Sequence, residues 1–417
     1  MVKFKIKLNY TPYEETIVNG SGKKLRYIDL FCGIGGFHQA LGSLGLGVET
    51  ECVLACDKDK PCREIYKQNY GIEVHPDIKK LKPENMPDYD ILCAGFPCQP
   101  FSNAGKKSTF KHDKGLLFDE IMRLIKDHKP KLMFLENVKH ILKVGKGEVF
   151  KYVMNRLDEN GYNVQILKMS PHEYGIPQQR ERIFFVCVHK SIDKKVVELV
   201  EPKNTEIIME NFMEKKEEID EKYFVKGDVI KALDAWEEMI QIFPEGEKIS
   251  PTIMANEFHK IYTPEEFSNL AAWRQDYITK NKPLYNKYKN TWDEWYERNK
   301  TILQRREIYA KLEWQVGTIK PNDSIYNYFI QLRQSGIRVK KSKYFPTLVA
   351  MSQIPIYGKE KRILTPRECA RIQSFPDSFI IHNEDKQSYK QFGNSVNVDN
   401  VRNVIKSTLL TFPIFNM

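Results

Sequence analysis

The chain predicts an α/β protein: a doubly wound, mostly parallel sheet with a second, smaller domain. Three observations carry that expectation. From residue 25 to about 190, short apolar runs alternate with longer stretches of helical pattern, the signature of strand–helix–strand units. After Lys190 the alternation stops. Charge then segregates: residues 191–270 hold 10 Lys and Arg against 19 Asp and Glu, and residues 271–345 hold 16 against 7. The region beyond the alternating pattern is thus split into an acidic and a basic block.

Each element has a local reason. Residues 25–31 (LRYIDLF) read as a strand and 36–44 as the helix after it. Residues 52–56 read as a second strand and 61–69 as a second helix, with Pro61 in the first turn, where its missing N–H costs nothing. Residues 89–94, 132–135, 164–169 and 183–188 supply further strands, and 116–128 and 149–160 the helices between them. Residues 191–245, Lys- and Glu-rich and weakly patterned, read as a linker with short helices. Residues 262–315 read as helical, polar and aromatic, and strand character returns at 326–333 and 345–349. From Gln391 the chain reads as a glycine turn feeding a helix over 401–410.

Composition bounds the class. With 417 residues, 41% hydrophobic and 29% charged, the chain suits a soluble globular protein of two or three domains. No apolar run approaches the ~20 residues that span a bilayer, and the alternating residues 1–8 lack the apolar core of a secretion signal. The eight cysteines form no CxxC pair, so neither a zinc site nor a disulfide framework is indicated, and reduced thiols are the simplest account. A net charge of +10 hints at a polyanionic partner. The basic block carries Trp273, Trp292, Trp295 and Trp314. It reads either as a nucleic-acid surface or as a solvated helical face whose aromatics form a local core.

Five stretches carry chemistry. The central one is GFPCQPFSNAG, residues 95–105, which follows an apolar strand and sets Cys98 between Pro97 and Pro100 and between two glycines. Loops beyond the carboxyl ends of strands are where an α/β protein binds ligands; Cys98 is either a reactive thiol there or a buried small hydrophobe. The second is DLFCGIGGF, residues 29–37, a strand ending in a Gly-x-Gly-Gly turn before a helix, with Asp57 closing the next strand. That pattern suits a nucleoside ligand, the acid accepting from ribose hydroxyls. His38 stands where a dinucleotide fingerprint wants a small residue, so S-adenosylmethionine, which has no phosphate, is the better guest. The third is Glu136-Asn137-Val138 at a strand's carboxyl end, either a crevice acid or a helix cap. The fourth is Gln178-Gln179-Arg180-Glu181-Arg182, whose arginines share one face of a strand. The last, QFGNSV at 391–396, reads by itself as a turn. The stretch TPRECARIQSFPDSF, residues 365–379, opens on a helix-capping signature, Thr365 with Glu368 three on.

In this order and spacing, DLFCGIGG, GFPCQPFS, ENV, QxRxR, TPRECARIQSFPDSF and QFGNSV closely resemble the DNA (cytosine-5)-methyltransferase family, over roughly 25–190 and 345–410. The resemblance implies a Rossmann-like, S-adenosylmethionine-dependent methyltransferase fold. Because QFGNSV completes the large domain in that family, it also implies a discontinuous catalytic domain of residues 1–190 and 391–417. Residues 191–390 would then hold a linker and a target-recognition domain. It implies Cys98 as the nucleophile at carbon 6 of a flipped-out cytosine and Glu136 as the acid at the ring nitrogen. Arg182 would orient both, with Arg180 nearby.

The implied cofactor positions are Phe31, Gly33, Ile34, Gly36, Asp57, Lys58, Asp77, Ile78, Gly95, Leu117, Asn394 and Val396. Lys58 departs from the family, which often has an aromatic or apolar residue there. Implied DNA contacts are Gln99 and Ser102 and, in a recognition region at about 260–350, Arg333, Gln334 and Arg338. S-adenosyl-L-methionine is the implied cofactor, S-adenosyl-L-homocysteine the product, and no metal is implied. The implied partners are duplex DNA carrying a short specific site and a cognate restriction endonuclease. The implied setting is a cytoplasmic, nucleoid-associated monomer in a prokaryotic restriction–modification system.

Three rivals remain at this point. A tRNA cytosine methyltransferase of the same family would carry a Cys-Phe-Thr tripeptide, which is absent. A non-catalytic DNA-binding regulator would be expected to lack the nucleophile or the acid, and both are present. An NAD-dependent oxidoreductase is disfavoured by His38 and by the Pro-Cys loop.

Overall fold

The computed structural model describes residues 24–97, 117–200, 206–249, 252–258, 260, 262–341, 344–348 and 353–414. They divide into two compact units, Met1–Met213 with Cys369–Met417, and Glu214–Glu368.

The first unit is built on a seven-stranded sheet. Its elements are β1 (Leu25–Leu30), α1 (Gly36–Gly42), β2 (Thr50–Cys56), α2 (Lys60–Tyr70), β3 (Val74–His75) and β4 (Ile91–Gly95), then α3 (Leu117–His128), β5 (Leu132–Val138), α4 (Glu148–Glu159), β6 (Tyr162–Met169) and β7 (Arg182–His189). The strand order is β3-β2-β1-β4-β5-β7-β6. Pairs from β3 to β5 are parallel, whereas β7 runs antiparallel to both β5 and β6. A parallel sheet must be covered on both faces, and the central strands read accordingly: Leu25–Leu30 and Ile91–Ala94 are buried almost throughout. One face packs Ile28, Leu30, Leu92 and Leu135 against Phe118, Ile121, Leu124, Val153 and Leu157. The other carries a smaller cluster of Cys32, Ala55, Tyr66 and Val74.

The expected alternation of strands and helices is thus present, with shifts of one to three residues at the ends. The expected breaks at 190/191 and 390/391 fall instead at 213/214 and 368/369. Hydrogen bonds explain why residues 369–390 stay with the large sheet. Gln373 Nε2 donates to Phe392 O at 2.6 Å, Asn397 Nδ2 to Ile372 O at 3.1 Å, and Gln178 Nε2 to Ile372 O at 3.3 Å.

In the second unit, residues 214–245, from the stretch expected as a linker with short helices, are more than a linker. They contain the 16-residue α5 (Gly227–Ile242), whose Ala232, Leu233, Trp236 and Met239 are fully buried. After it come β8 (Ile253–Met254), α6 (Pro264–Ser268), α7 (Ala272–Lys287), α8 (Lys289–Arg305), β9 (Lys311–Gln315), β10 (Phe329–Arg333), β11 (Gly336–Lys340), β12 (Ile356–Tyr357) and β13 (Arg362–Ile363), the strands in the order β13-β12-β10-β11-β9-β8. Trp292, Trp295 and Trp314 join Trp236 in one core. Of the four tryptophans in the basic block only Trp273 is exposed, so the local-core reading of these aromatics holds. Three of the four indole N–H groups in that core are spent internally: Trp236 Nε1 donates to Tyr309 O and Trp295 Nε1 to Ala235 O, both at 2.7 Å, and Trp314 Nε1 to Gly317 O at 2.9 Å.

The chain then returns to the first unit, where α10 (Asp385–Asn394) and α11 (Val398–Thr411) follow the short α9 (Pro366–Ile372). The expected glycine turn at 391–394 is instead the last turn of α10, with Gly393 helical and buried. Among the described residues no helix is long and apolar enough to cross a membrane.

Candidate active site

Two groups of side chains gather at the carboxyl ends of the strands of the first unit. The first is the turn between β1 and α1. Phe31, Gly33 and Gly35 all have positive φ, at 55°, 54° and 90°, a conformation that glycine adopts without strain. The Gly33 N–H donates to Asp57 Oδ2 at 2.8 Å, and the Asp59 N–H donates to Asp57 Oδ1 at 2.8 Å. Burial pushes the Asp57 carboxyl upward while those two amides hold it down. Among the described residues a side chain at Gly33 would meet nothing within 4 Å, so they leave space open over the turn. At Gly36 the reverse holds: a Cβ would come within 2.5 Å of Val396 Cγ2, so α1 can seat against Val396 only as glycine. Asn394 is exposed beside this contact.

Asp77 caps a short 3₁₀ turn by accepting from Lys79 N, and Ile78 is buried behind it. Lys58 is exposed, and among the described residues its ammonium has no partner; its backbone carbonyl accepts from Arg63 Nη1. Leu117 opens α3, half-buried.

The donor set fits a phosphate-free nucleoside. Each Asp57 oxygen receives one hydrogen bond and keeps a further lone pair for a ribose hydroxyl, and the turn itself carries no Lys or Arg that would hold a pyrophosphate. His38, at the start of α1, is turned inward, with Nδ1 3.0 Å from the Tyr66 hydroxyl.

The second group lies at the ends of β4, β5 and β7. Parallel pairing sets Gly95 opposite Glu136, and a Cβ at Gly95 would lie 3.7 Å from Glu136 Oε2. Asn137, the next residue, donates through Nδ2 to Phe96 O at 2.8 Å. The backbone entering the Pro97–Cys98 loop is therefore tied to the strand end that carries Glu136. Cys98, Gln99 and Ser102 lie outside the described residues.

Glu136 accepts from Arg182 Nε at 2.9 Å, both side chains nearly buried. Arg182 Nη1 also donates to Glu181 O at 2.9 Å. Burial raises the Glu136 carboxyl above its ordinary range, and the cations of Arg182 and Arg180 oppose that rise without cancelling it. Arg180 is wholly buried. Its Nη2 donates to Gly393 O and Ser395 O, each at 2.9 Å, and its backbone N–H donates to Ser170 Oγ at 2.9 Å.

Residues that motif reading left without a role prove to be ties of this kind: Asn137 to Phe96, and Gln373 to Phe392. Their signal was present, since both sit inside quoted motifs, but nothing in a linear pattern shows which carbonyl a side-chain amide will reach.

In the second unit, Gln334 and Ser335 form the exposed two-residue turn between β10 and β11, next to half-buried Arg333. Arg338 stands apart from this tip. It lies in mid-strand opposite Glu313, with its Nε 2.5 Å from Glu313 Oε2. The Arg338 guanidinium is thus already paired through Nε with a carboxylate, a contact that base recognition by Arg338 would have to exchange.

Comparison with known proteins places the chain in a family. A family model described as C-5 cytosine-specific DNA methylase matches residues 25–409. The type II methyltransferase M.HhaI of Haemophilus parahaemolyticus is 31% identical over 372 residues, covering 89% of this chain and 90% of that protein. M.HpaII of Haemophilus parainfluenzae is 30% identical, covering 93% and 90%. Among solved structures, the Entamoeba histolytica methyltransferase EhMeth superposes with a TM-score of 0.55 at 19% identity, over 93% of this chain and 99% of that one. The S. pombe Dnmt2 methyltransferase gives 0.52 at 20%, over 93% and 99%; these two likenesses concern the fold alone. With a family match that runs through both units, the chain belongs to the C-5 cytosine-specific DNA methylases.

Proposed function

We propose that this member of the family is a type II DNA (cytosine-5-)-methyltransferase acting on a flipped-out cytosine within a short duplex sequence, in a restriction–modification system. The observation that carries the reading is the buried Glu136–Arg182 pair, set in register with Gly95 and so with the strand that feeds Cys98.

The residues divide the work as follows. The Cys98 thiolate adds to carbon 6 of the cytosine ring, forming a carbon–sulfur bond and placing electron density on carbon 5. That addition puts negative charge on the ring, and Glu136 meets it by holding a proton at the ring nitrogen, which its raised pKa favours. Arg182 fixes the carboxyl in place through Nε while Glu181 O holds the far side of the guanidinium. S-adenosyl-L-methionine, when bound, supplies an electrophilic methyl group and leaves as S-adenosyl-L-homocysteine. Gly33, Gly36, Asp57, Asp77, Ile78 and Val396 would hold it, with Phe31, Ile34, Lys58, Gly95, Leu117 and Asn394 around them. After methylation of carbon 5, loss of its proton to a base or water and departure of the Cys98 sulfur restore the ring and the free thiolate. The target has to leave the helical stack for any of this, because carbon 6 is covered inside a duplex.

The catalytic part in this reading comprises residues 24–213 and 369–414, and the 214–368 unit reads the target. Arg333 and Gln334, at the tip of a hairpin, are offered for base contact. No metal step is required. A partner endonuclease for the same site, a monomeric state and a cytoplasmic, nucleoid-associated setting complete the proposal.

The test is transfer of labelled methyl from S-adenosylmethionine to mixed-sequence duplex DNA, read by bisulfite sequencing, with Cys98→Ser alongside. Methylation at one short recurring sequence, absent in the variant, is the expected result. Transfer to RNA in place of DNA, or full activity of Cys98→Ser, overturns the reading.

A further inference from the structure

The glycine turn at residues 33–36 is shaped from behind by a residue that no motif includes. Tyr70, the last residue of α2, lies flat against it: a Cβ on Gly35 would come within 2.3 Å of the Tyr70 ring. The Tyr70 hydroxyl stands 3.2 Å from Gly35 O, 3.4 Å from Ile34 O and 3.5 Å from Gln39 Oε1. Burial holds this phenol well above its ordinary range, so its single proton is always available to those acceptors. The other face of the ring is covered by His38, stacked at 3.8 Å between centroids and 27° between planes, while Tyr66 meets it edge-on at 4.8 Å.

The position of Tyr70 is itself held from a distant part of the chain. Its neighbour Asn69 clasps the backbone of Ile380 through both of that residue's polar groups: Asn69 Nδ2 donates to Ile380 O at 2.9 Å, and Ile380 N donates to Asn69 Oδ1 at 2.7 Å. Phe379 lies against the Tyr70 ring, 6.3 Å between centroids. At the other end of α2, Asp59 caps the helix through Cys62 N and is gripped by Lys390 Nζ at 2.6 Å. The helix is thus pinned at both ends to residues more than 300 positions away. Between those pins it touches both halves of the nucleoside crevice: Asp57 through the Asp59 amide, and the glycine turn through Tyr70.

We infer that Tyr70 is a positioning residue for the methyl donor: its hydroxyl and ring fix the Ile34–Gly35 peptides so that the space over Gly33 stays open and shaped, and the Asn69–Ile380 clasp sets where Tyr70 stands. The inference rests on the assignment of this crevice to S-adenosylmethionine. Tyr70 touches neither donor nor cytosine, so its removal acts on binding of one substrate and not on the chemical step.

The test is calorimetric titration of the full-length protein with S-adenosylhomocysteine, together with steady-state kinetics. Tyr70→Phe removes the hydroxyl and keeps the ring. It is expected to raise the Kd by about threefold to tenfold, the loss that one hydrogen bond of preorganisation carries. KM for S-adenosylmethionine rises in parallel, kcat at saturation stays within about twofold, and KM for DNA does not move. Asn69→Ser, which loosens the clasp and leaves the hydroxyl, shifts the same constants in the same direction by less, and it carries the test should Tyr70→Phe lose its fold. An unchanged Kd in a folded variant, even with a lowered melting temperature, reduces Tyr70 to a structural part and overturns the inference. A fall in kcat with constant KM also overturns it. A wild-type protein that binds no S-adenosylhomocysteine overturns the assignment of the crevice as well.

Discussion

Glu136 and Arg182 pair diagonally across two antiparallel strands: the residue directly opposite Arg182 is Val138, and the guanidinium reaches back two positions to place Nε 2.9 Å from Glu136 Oε1. On one face of an antiparallel pair, such a diagonal brings together side chains that share that face. The reach also leaves the end of the guanidinium on Glu181 O, so the fork is fixed at two points. The carboxyl consequently has one fixed neighbour and one free side.

From that geometry, Glu136→Gln should retain the fold and the tie to Arg182 through the amide oxygen, while losing the exchangeable proton. Methyl transfer is expected to slow by about 10²–10⁴-fold, the range assigned to acid–base help, with S-adenosylhomocysteine binding unchanged. Single-turnover methyl transfer checks it; an effect under about threefold would remove Glu136 from proton handling.

Arg182→Met should move a pH profile as well as a rate. The Arg182 cation holds the Glu136 carboxyl down against burial, so removing it lets the pKa rise. The limb of the kcat/KM profile that reports Glu136 then shifts to higher pH, and kcat/KM falls. Arg182→Lys restores the charge but not the two-point fork, so it returns the limb toward its original place while recovering only part of the rate. A limb that stays put in Arg182→Met belongs to another group.

Arg180 gives a stability prediction. Its guanidinium is fully buried on Gly393 O and Ser395 O, so Arg180→Ala removes the side-chain donor of Gly393 O and leaves Ser395 O only the 3.5 Å contact from Gln373 Nε2. The expected loss is roughly 2–4 kcal/mol, measured by urea unfolding. It should be accompanied by weaker cofactor binding, because Val396, which packs on Gly36, follows directly after Ser395. A variant with wild-type stability would show that water or a neighbour satisfies these carbonyls.

How much of this was legible in the sequence depends on whether a residue acts through its own strand or through a distant partner. The parallel sheet and Asp57 were legible because apolar runs and strand ends are local features. Glu136 was legible as a charged residue ending an apolar strand. The partner of Arg338 was not legible, because a linear sequence cannot show that Glu313 lies opposite it on the neighbouring strand. The tryptophans of the basic block were ambiguous because helical spacing does not say which face is buried; packing against α5, itself hidden in a Lys/Glu-rich stretch, decided it. Tyr70 was invisible, and the carbonyl partners of Arg180 were too, because each side chain acts on backbone carbonyls far from it in sequence.

The hairpin tip tests the division of labour between the units. Arg333→Ala should weaken duplex binding and relax the preference at one base position of the site, by about 1–3 kcal/mol of discrimination. Arg338→Ala should instead lower stability, since it strands the buried Glu313 carboxylate, and leave the sequence preference intact. Competition binding with single-position site variants separates the two. Equal losses of preference in both variants would mean that Arg338 leaves Glu313 when DNA binds.

The last prediction concerns acid. His38 is half-buried against Tyr66 and Tyr70, and burial lowers its pKa from 6.5 to about 4. In the folded protein the ring stays neutral until about pH 4, whereas in the unfolded chain it binds a proton near 6.5. Between those values the unfolded state holds more protons, so stability falls as pH falls across that window and levels off below it. At ~1.4 kcal/mol per pKa unit the full loss is on the order of 3 kcal/mol. Asp29 and Glu136, whose pKa values burial raises, act in the opposite sense, so the wild-type curve mixes both. The difference between wild type and His38→Gln isolates the histidine: the amide keeps a partner for the Tyr66 hydroxyl and cannot titrate. Urea unfolding from pH 7 to pH 4 should show the wild type losing stability relative to the variant across the window. Parallel curves would mean that His38 is protonated in the folded state, with its ring turned out of the stack on Tyr70.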